Sequence, residues 1–265
     1  MNPGGGGDRT VRVTVPVADA ELAADRLWQA GASAIAEREV PGAVVLEAGG
    51  DPASLLAAVA GSWPAEAVVV DLDAALDAWR PYARAVRVGE RLAVRPPWLP
   101  PVGAELEVVV DPGRAFGSGA HPSTRLALAT LVERVRPGDR VLDVGCGSGV
   151  LALAALALGA SAAVGVDIDP AAREASAANG VRNGAAGRLA VTDLVGGRYP
   201  LVVANLLLPD LVALAPAVTG AVEPGGALVA SGVLDSQRAA VEAAYDLRVV
   251  EARLEDGWLA LILAP

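Results

Sequence analysis

The stretch Arg140-Val-Leu-Asp-Val-Gly-Cys-Gly-Ser-Gly149, followed by Ala163-Val-Gly-Val-Asp-Ile-Asp169, constrains the fold of this chain more than any other. An apolar strand runs into a glycine-rich turn and a helix, and a second apolar strand ends on a carboxylate. That is half of a nucleotide-binding α/β sheet. Glycines at 145, 147 and 149 let the backbone turn tightly and let a ligand approach without a Cβ in the way. The following helix offers the N–H groups of its first turn to whatever occupies the loop. Asp167, closing the second strand, can accept hydrogen bonds from both hydroxyls of a ribose. The alternative is a βαβ unit whose glycines serve packing alone.

The glycine spacing bears on the nucleoside. A dinucleotide fingerprint is Gly-x-Gly-x-x-Gly, but position 150 is Val and the third glycine arrives one residue early. The pattern Asp-x-Gly-x-Gly-x-Gly, led by Asp143, resembles motif I of class I S-adenosylmethionine-dependent methyltransferases. That cofactor carries no pyrophosphate, and the resemblance places Asp143 where an acid organises the loop near the methionine ammonium group.

Composition sets outer limits. The 265 residues suffice for one large domain or two small ones. Hydrophobic residues make up 53% and aromatics 3%, so the core is built from Ala, Val and Leu. All 21 basic residues are Arg, which a GC-rich codon bias explains without function. The net charge is −10, and residues 1–75 hold 11 acids against 4 Arg, a net of −7. Such acidity disfavours a direct nucleic-acid partner and suits a basic protein, although it also serves plain solubility. One Cys and one His, Cys146 and His121, exclude an internal disulfide and a Cys/His zinc site, so no metal is expected and a cytoplasmic location is. Cys146, inside the glycine loop, reads as small filler. The Met-Asn-Pro-Gly-rich start has no apolar core of a signal peptide, and Val150–Val166 falls short of the ~20 apolar residues of a membrane span.

Two domains are expected, 8–75 and 108–265, with an ordered linker over 76–107. In the first, Val11–Val17 alternates like a strand, Asp19–Ala30 is a helix with Asp19 as N-cap and Gly31 as C-cap, and two strands flank Pro41-Gly42. Asp51-Pro52 opens a second helix and Ala67–Leu72 is a last strand. The order βαββαβ is that of a small ferredoxin-like α+β domain. Prolines in Arg95-Pro-Pro-Trp-Leu-Pro-Pro101 forbid regular structure in the linker, which contains Trp79 and Trp98, although Arg84–Val94 reads as a hairpin around Gly89. Beyond Val108, strands and helices alternate as a doubly wound parallel sheet requires. Seven strands are expected, the last two joined by a hairpin at Asp256-Gly257.

Two further stretches narrow the family. They are Asp111-Pro-Gly-Arg-Ala-Phe-Gly-Ser-Gly-Ala-His-Pro-Ser-Thr124 and Val202-Val-Ala-Asn-Leu-Leu-Leu-Pro209. With Val166-Asp-Ile-Asp-Pro170 and Ser231-Gly-Val-Leu-Asp-Ser-Gln237, they resemble the PrmA family, bacterial enzymes that methylate ribosomal protein L11. The likeness is close over 79–265 and architectural over 10–75. It implies a seven-stranded class I methyltransferase sheet and S-adenosyl-L-methionine as cofactor. It also implies cofactor contacts at Thr124, Gly145, Asp167 and Asn205, with Asp143, Gly147, Gly149 and Phe116 beside them. Ser118, Ala120 and Ser123 stand where the family commonly has Thr.

Asn205 is the expected catalytic residue. A lysine amine attacks only when deprotonated, and an apolar pocket lowers its pKa from ~10.4. A carboxamide oxygen at a strand end can then hold the amine in line with the methyl group. Asn205 could otherwise be a strand-end cap, His121 a helix cap or a substrate contact, and Phe116 ordinary core. Rival functions are a methyltransferase acting on another protein or small amine, a dehydrogenase, and a catalytically silent nucleotide-binding module. Oligomeric state has no sequence signal.

Overall fold

The computed structural model describes residues 9–32, 34–69, 80, 83–111 and 117–265. The chain divides into two units, Met1–Pro81 and Tyr82–Pro265, each of which is described by itself.

In the first unit the order is β1 (Arg9–Val15), α1 (Ala20–Gln29), β2 (Ala34–Val40), β3 (Ala43–Gly49), α2 (Pro52–Val59) and β4 (Ala65–Val69). The strands pair antiparallel in the order β2-β3-β1-β4. Alternate residues Val11, Val13 and Val15 of β1 turn to one face and bury against Leu27 of α1 and Leu55 of α2. Asp51 caps α2 as the sequence indicates, its carboxylate accepting from Ser54 N at 3.0 Å. Asp19 occupies the N-cap of α1 without capping it. Its Oδ2 instead accepts the indole N–H of Trp63 at 3.0 Å. A partly buried indole needs an acceptor, and Asp19 supplies one from 44 residues away. The end of the expected strand at 70–72, and Trp79, lie outside the described residues.

The second unit opens with a three-stranded sheet, β5 (Val86–Val88), β6 (Leu92–Arg95) and β7 (Leu106–Val109). The hairpin expected around Gly89 is the antiparallel pair β5 and β6. Val88, Leu92, Val94 and Val108 are buried in one cluster with Leu128, Leu131, Val150 and Leu153 of the helices that follow. The three strands are therefore part of this unit's core through these side chains. The prolines do what they must: Pro96, Pro97, Pro100 and Pro101 lie between strands, not within them.

The central sheet has the order β10-β9-β8-β11-β12-β14-β13. Its strands are β8 (Arg140–Val144), β9 (Ala162–Val166), β10 (Leu189–Thr192), β11 (Tyr199–Asn205), β12 (Val222–Leu234), β13 (Arg248–Glu255) and β14 (Trp258–Ala264). The first five run parallel, and β14 enters antiparallel between β12 and β13. The hairpin joining β13 to β14 turns on Asp256 and Gly257, both at positive φ. Helices α3 (Pro122–Arg134), α4 (Val150–Ala157), α5 (Pro170–Arg182), α6 (Leu208–Ala221) and α7 (Arg238–Ala244) connect or flank the strands. Alternate residues of β11 face opposite sides: Leu201 and Val203 join α3 and α4 in one cluster, while Val202 and Ala204 join α6 and α7 in the other. The central strands are covered on both faces, which is why β9, β11 and β14 read as largely apolar runs. Among the described residues no helix is long and apolar enough to cross a membrane.

From β8 the chain builds outward to β9 and β10, then returns to place β11 on the opposite side of β8. That reversal opens a crevice at the carboxyl ends of β8, β9 and β11, where doubly wound sheets bind ligands.

Candidate functional site

The glycine loop closes β8 and leads into α4, with Gly145, Gly147 and Gly149 all at positive φ. Gly149 is the left-handed N-cap of α4, and a Cβ there would strike the Ser176 hydroxyl of α5. Its bareness serves helix packing. A Cβ on Gly145 would run into the side chain of Leu206.

The loop's donors are mostly in use. Gly145 N and Cys146 N both donate to Val166 O, at 2.7 and 3.0 Å. Gly147 N donates to Asp167 Oδ2 at 2.9 Å, and Ala152 N in the first turn of α4 donates to Asp143 Oδ2 at 3.0 Å. The expectation that the helix offers the N–H groups of its first turn to a ligand is thus corrected at Ala152, whose N–H the Asp143 carboxyl already holds. A phosphate would compete with Asp143 and Asp167, whereas a ligand bringing donors or positive charge would meet acceptors.

Asp143 is fully buried, and its Oδ1 has no hydrogen-bond partner among the described residues. Burial, opposed by the Ala152 N–H and assisted by the charge of Asp167, pushes its pKa up to about 7. The unfolded chain releases this proton near the ordinary value of 3.8, so the fold loses stability as pH rises from about 4 to about 7. Asp143→Asn keeps an acceptor for Ala152 N but cannot ionise. The ligand-free wild type is therefore expected to lose melting temperature between pH 5 and pH 8 more steeply than Asp143→Asn. Equal slopes in thermal denaturation would assign the buried proton elsewhere.

Asp167 is partly exposed at the tip of β9 and has both oxygens engaged, Oδ2 by Gly147 N and Oδ1 by Asp169 N at 3.0 Å. A carboxylate has about four acceptor sites, so two remain for hydroxyl donors. Those two backbone bonds fix the direction in which the remaining lone pairs face.

Across β8, Asn205 ends β11 and its Nδ2 donates to Thr124 Oγ1 at 3.1 Å. Among the described residues its Oδ1 accepts no hydrogen bond, leaving a carbonyl oxygen for an incoming donor. Thr124 is buried in the first turn of α3. His121 caps that helix, its Nδ1 accepting from Ser123 N at 3.3 Å. Burial and nearby Arg125 hold the His121 pKa below 6.5, which favours the neutral ring that a capping acceptor requires. The ring also packs edge-on against Trp258, with centroids 4.5 Å apart. Arg125 bonds to Ala120 O, Glu255 and Asp256, tying this loop to the final hairpin.

Sequence reasoning missed four supports. Ser148 Oγ donates to Gly117 O at 2.6 Å, laying the segment before α3 across the glycine loop. Asn183 takes both backbone groups of Val109, at 2.8 and 2.7 Å, and buried Asn179 takes both of Asp111, each at 2.9 Å. Asn179 also donates to Ser148 O. Ser231 of β12 donates to Ser123 O at 3.0 Å, seating the start of α3 on the sheet. The four-residue spacing of the two asparagines on one helix was the available signal. Phe116 lies outside the described residues.

Asp143, Gly145, Gly147 and Asp167 thus cluster at the carboxyl ends of β8 and β9, and Thr124 with Asn205 at that of the neighbouring β11. The family model described as ribosomal protein L11 methyltransferase (PrmA) matches residues 65–264. A protein of that name from Pelotomaculum thermopropionicum is 46% identical over 195 residues, covering 70% of this chain and 63% of its own. One from Symbiobacterium thermophilum is 45% identical over 193 residues, covering 70% of this chain and 64% of its own. The chain therefore spans less than two thirds of the length of these relatives. The crystal structure of ribosomal protein L11 methylase from Lactobacillus delbrueckii subsp. bulgaricus superposes with a TM-score of 0.62 at 26% identity, covering 68% of this chain and 98% of that one.

Proposed function

The chain belongs to the PrmA family of ribosomal protein L11 methyltransferases, and we propose that it transfers methyl groups from S-adenosylmethionine to lysine and N-terminal amines of ribosomal protein L11. The observation that carries this reading is that Gly147 N of the glycine loop is bonded to Asp167 and Ala152 N of the following helix to Asp143. A site so arranged receives a ligand through acceptors, which fits a sugar with two hydroxyls and a methionine ammonium, and does not fit a pyrophosphate.

The residues present fit that cofactor. Asp167 would hold the ribose with its two remaining acceptor sites. An ammonium bound beside the loop would draw the Asp143 carboxyl to its ionised form and so gain a negative partner. Thr124 and Gly145 would line the same pocket. When bound, S-adenosylmethionine supplies an electrophilic methyl group on a sulfonium. Asn205 Oδ1 would accept an N–H of the neutral amine and aim its lone pair along the methyl–sulfur axis. The Leu206 side chain and the apolar ends of β8 and β11 keep water away and disfavour the ammonium form, releasing the amine's proton to solvent before attack. No side chain needs to act as base; orientation and desolvation supply the rate.

The first unit, with its β1-α1-β2-β3-α2-β4 order, we read as a ferredoxin-like substrate-recognition domain. Support comes from the net charge of −7 on residues 1–75, which suits a basic protein. A protein of residues 77–265 is expected to bind S-adenosylhomocysteine like the full chain yet methylate intact ribosomal protein L11 at least tenfold more slowly, measured by label incorporation. Equal rates would remove the recognition role.

The direct test incubates the full chain with labelled S-adenosylmethionine and a ribosomal-protein mixture and locates the label by mass spectrometry. Label on ribosomal protein L11 lysines is the expected result. Label confined to another protein or to a small amine would redirect the substrate, and absence of transfer would defeat the reading.

A further inference from the structure

Asn205 and the glycine loop belong to different strands, and one side chain lies between them. Leu206 follows Asn205 where β11 ends. Its side chain lies over Gly145, so closely that a Cβ on that glycine would collide with Leu206 Cδ2 and approach Cγ to 3.0 Å. Its backbone is fixed on the other side. Leu206 N donates to Ser231 O at 3.0 Å. A Cβ on Gly232 of β12 would collide with Leu206 O and come within 2.8 Å of its N. Gly145 has φ +73° and Gly232 φ +90°, so both positions combine left-handed backbone with close approach to the same residue. The side chain also packs against the core cluster containing Val144 of β8, Ala204 of β11 and Ala230 of β12.

We infer that Leu206 is a positioning residue, a spacer that sets the distance between the glycine loop holding the cofactor and the Asn205 amide holding the amine. The inference rests on the methyl-transfer reading. Its physical basis is that in-line transfer tolerates little displacement: an error of about 1 Å can cost ~10²-fold in rate. The glycine loop can approach β11 only as far as the Leu206 side chain permits, and Asn205, bonded sideways to Thr124, moves with the same strand end. A shorter side chain would let the loop settle toward the strand and alter the methyl-to-amine distance, while Asp143 and Asp167 continue to hold the ligand.

The test compares Leu206→Ala, Leu206→Val and Leu206→Met with wild type. S-adenosylhomocysteine affinity is read by calorimetry and methyl transfer to ribosomal protein L11 by single turnover. Leu206→Ala is expected to slow single-turnover transfer at least ~10-fold with affinity held within about threefold, and Leu206→Met to restore most of the rate. Should Leu206→Ala not fold, Leu206→Val gives the same comparison with a smaller loss. A rate within threefold of wild type would overturn the inference. So would equal loss of rate and affinity, which would mean that Leu206 only supports the cofactor loop.

A second arm needs no turnover. Gly145→Ala should weaken S-adenosylhomocysteine binding by a larger factor in the wild-type background than alongside Leu206→Ala, because removing the leucine side chain removes the collision and leaves only the φ strain. An equal factor in both backgrounds would refute the contact. If wild type itself transfers no methyl group, the functional reading fails while this binding cycle still decides whether Leu206 meets the loop.

Discussion

Replacing Asn205 with alanine is expected to reduce methyl transfer by about two orders of magnitude while leaving S-adenosylhomocysteine affinity within a few-fold of wild type. Among the described residues the Asn205 amide makes one hydrogen bond, to Thr124, and that bond tethers the side chain without consuming its carbonyl oxygen. Alanine removes the acceptor that would orient the amine, and it leaves Thr124 Oγ1 to other donors in its first-turn position. Because the Asp143 and Asp167 contacts are made by β8, the end of β9 and the glycine loop, none of them through Asn205, ligand binding should survive. Single-turnover kinetics beside calorimetry separates the two effects. If turnover is unchanged and only thermal stability falls, Asn205 is a strand-end cap and the amine is oriented by other groups.

Asp167→Ala is expected to act in the opposite sense, on binding first. Hydrogen bonds to a charged group contribute ~1.5–3 kcal/mol, and two hydroxyls would lose their acceptor, so affinity should fall at least ~10- to 100-fold. The substitution also frees Gly147 N and Asp169 N, whose bonds to Asp167 shape the loop and the approach to α5. Asp167→Asn serves as the control. It retains one acceptor oxygen for the loop but replaces the other by a donor, and it should lose affinity to an intermediate degree. Wild-type affinity in a folded Asp167→Ala protein would end the ribose assignment.

Local features made much of the second unit legible. The glycine loop, the acid at the end of β9, Pro at the first position of α3, α5 and the Asp256-Gly257 hairpin each act within a few residues of where they are written. Elements determined at long range were less so. Nothing within residues 86–109 announces that its strands complete the core beside α3 and α4; their prolines suggest a connector, and only packing against Leu128 and Val150 reveals otherwise. Asp19 has the residue type and position of a helix cap, yet Trp63 claims its carboxylate. The glycine motif was readable as a motif but not in its division of labour. Neighbours distant in sequence, Ser176 and Leu206, decide that two of its three glycines are bare for the sake of packing.

Asn179 and Asn183 treat the segment at Val109–Asp111 as a neighbouring strand would, each giving and receiving one hydrogen bond with a single residue's backbone. Four residues along a helix rise about 6 Å and two along an extended chain about 6.6 Å, which is why two side chains can imitate a ladder. Such a clamp is indifferent to the side chains it holds. The information that fixes the path of this segment is stored some seventy residues away, at the end of a helix that the segment never pairs with as secondary structure.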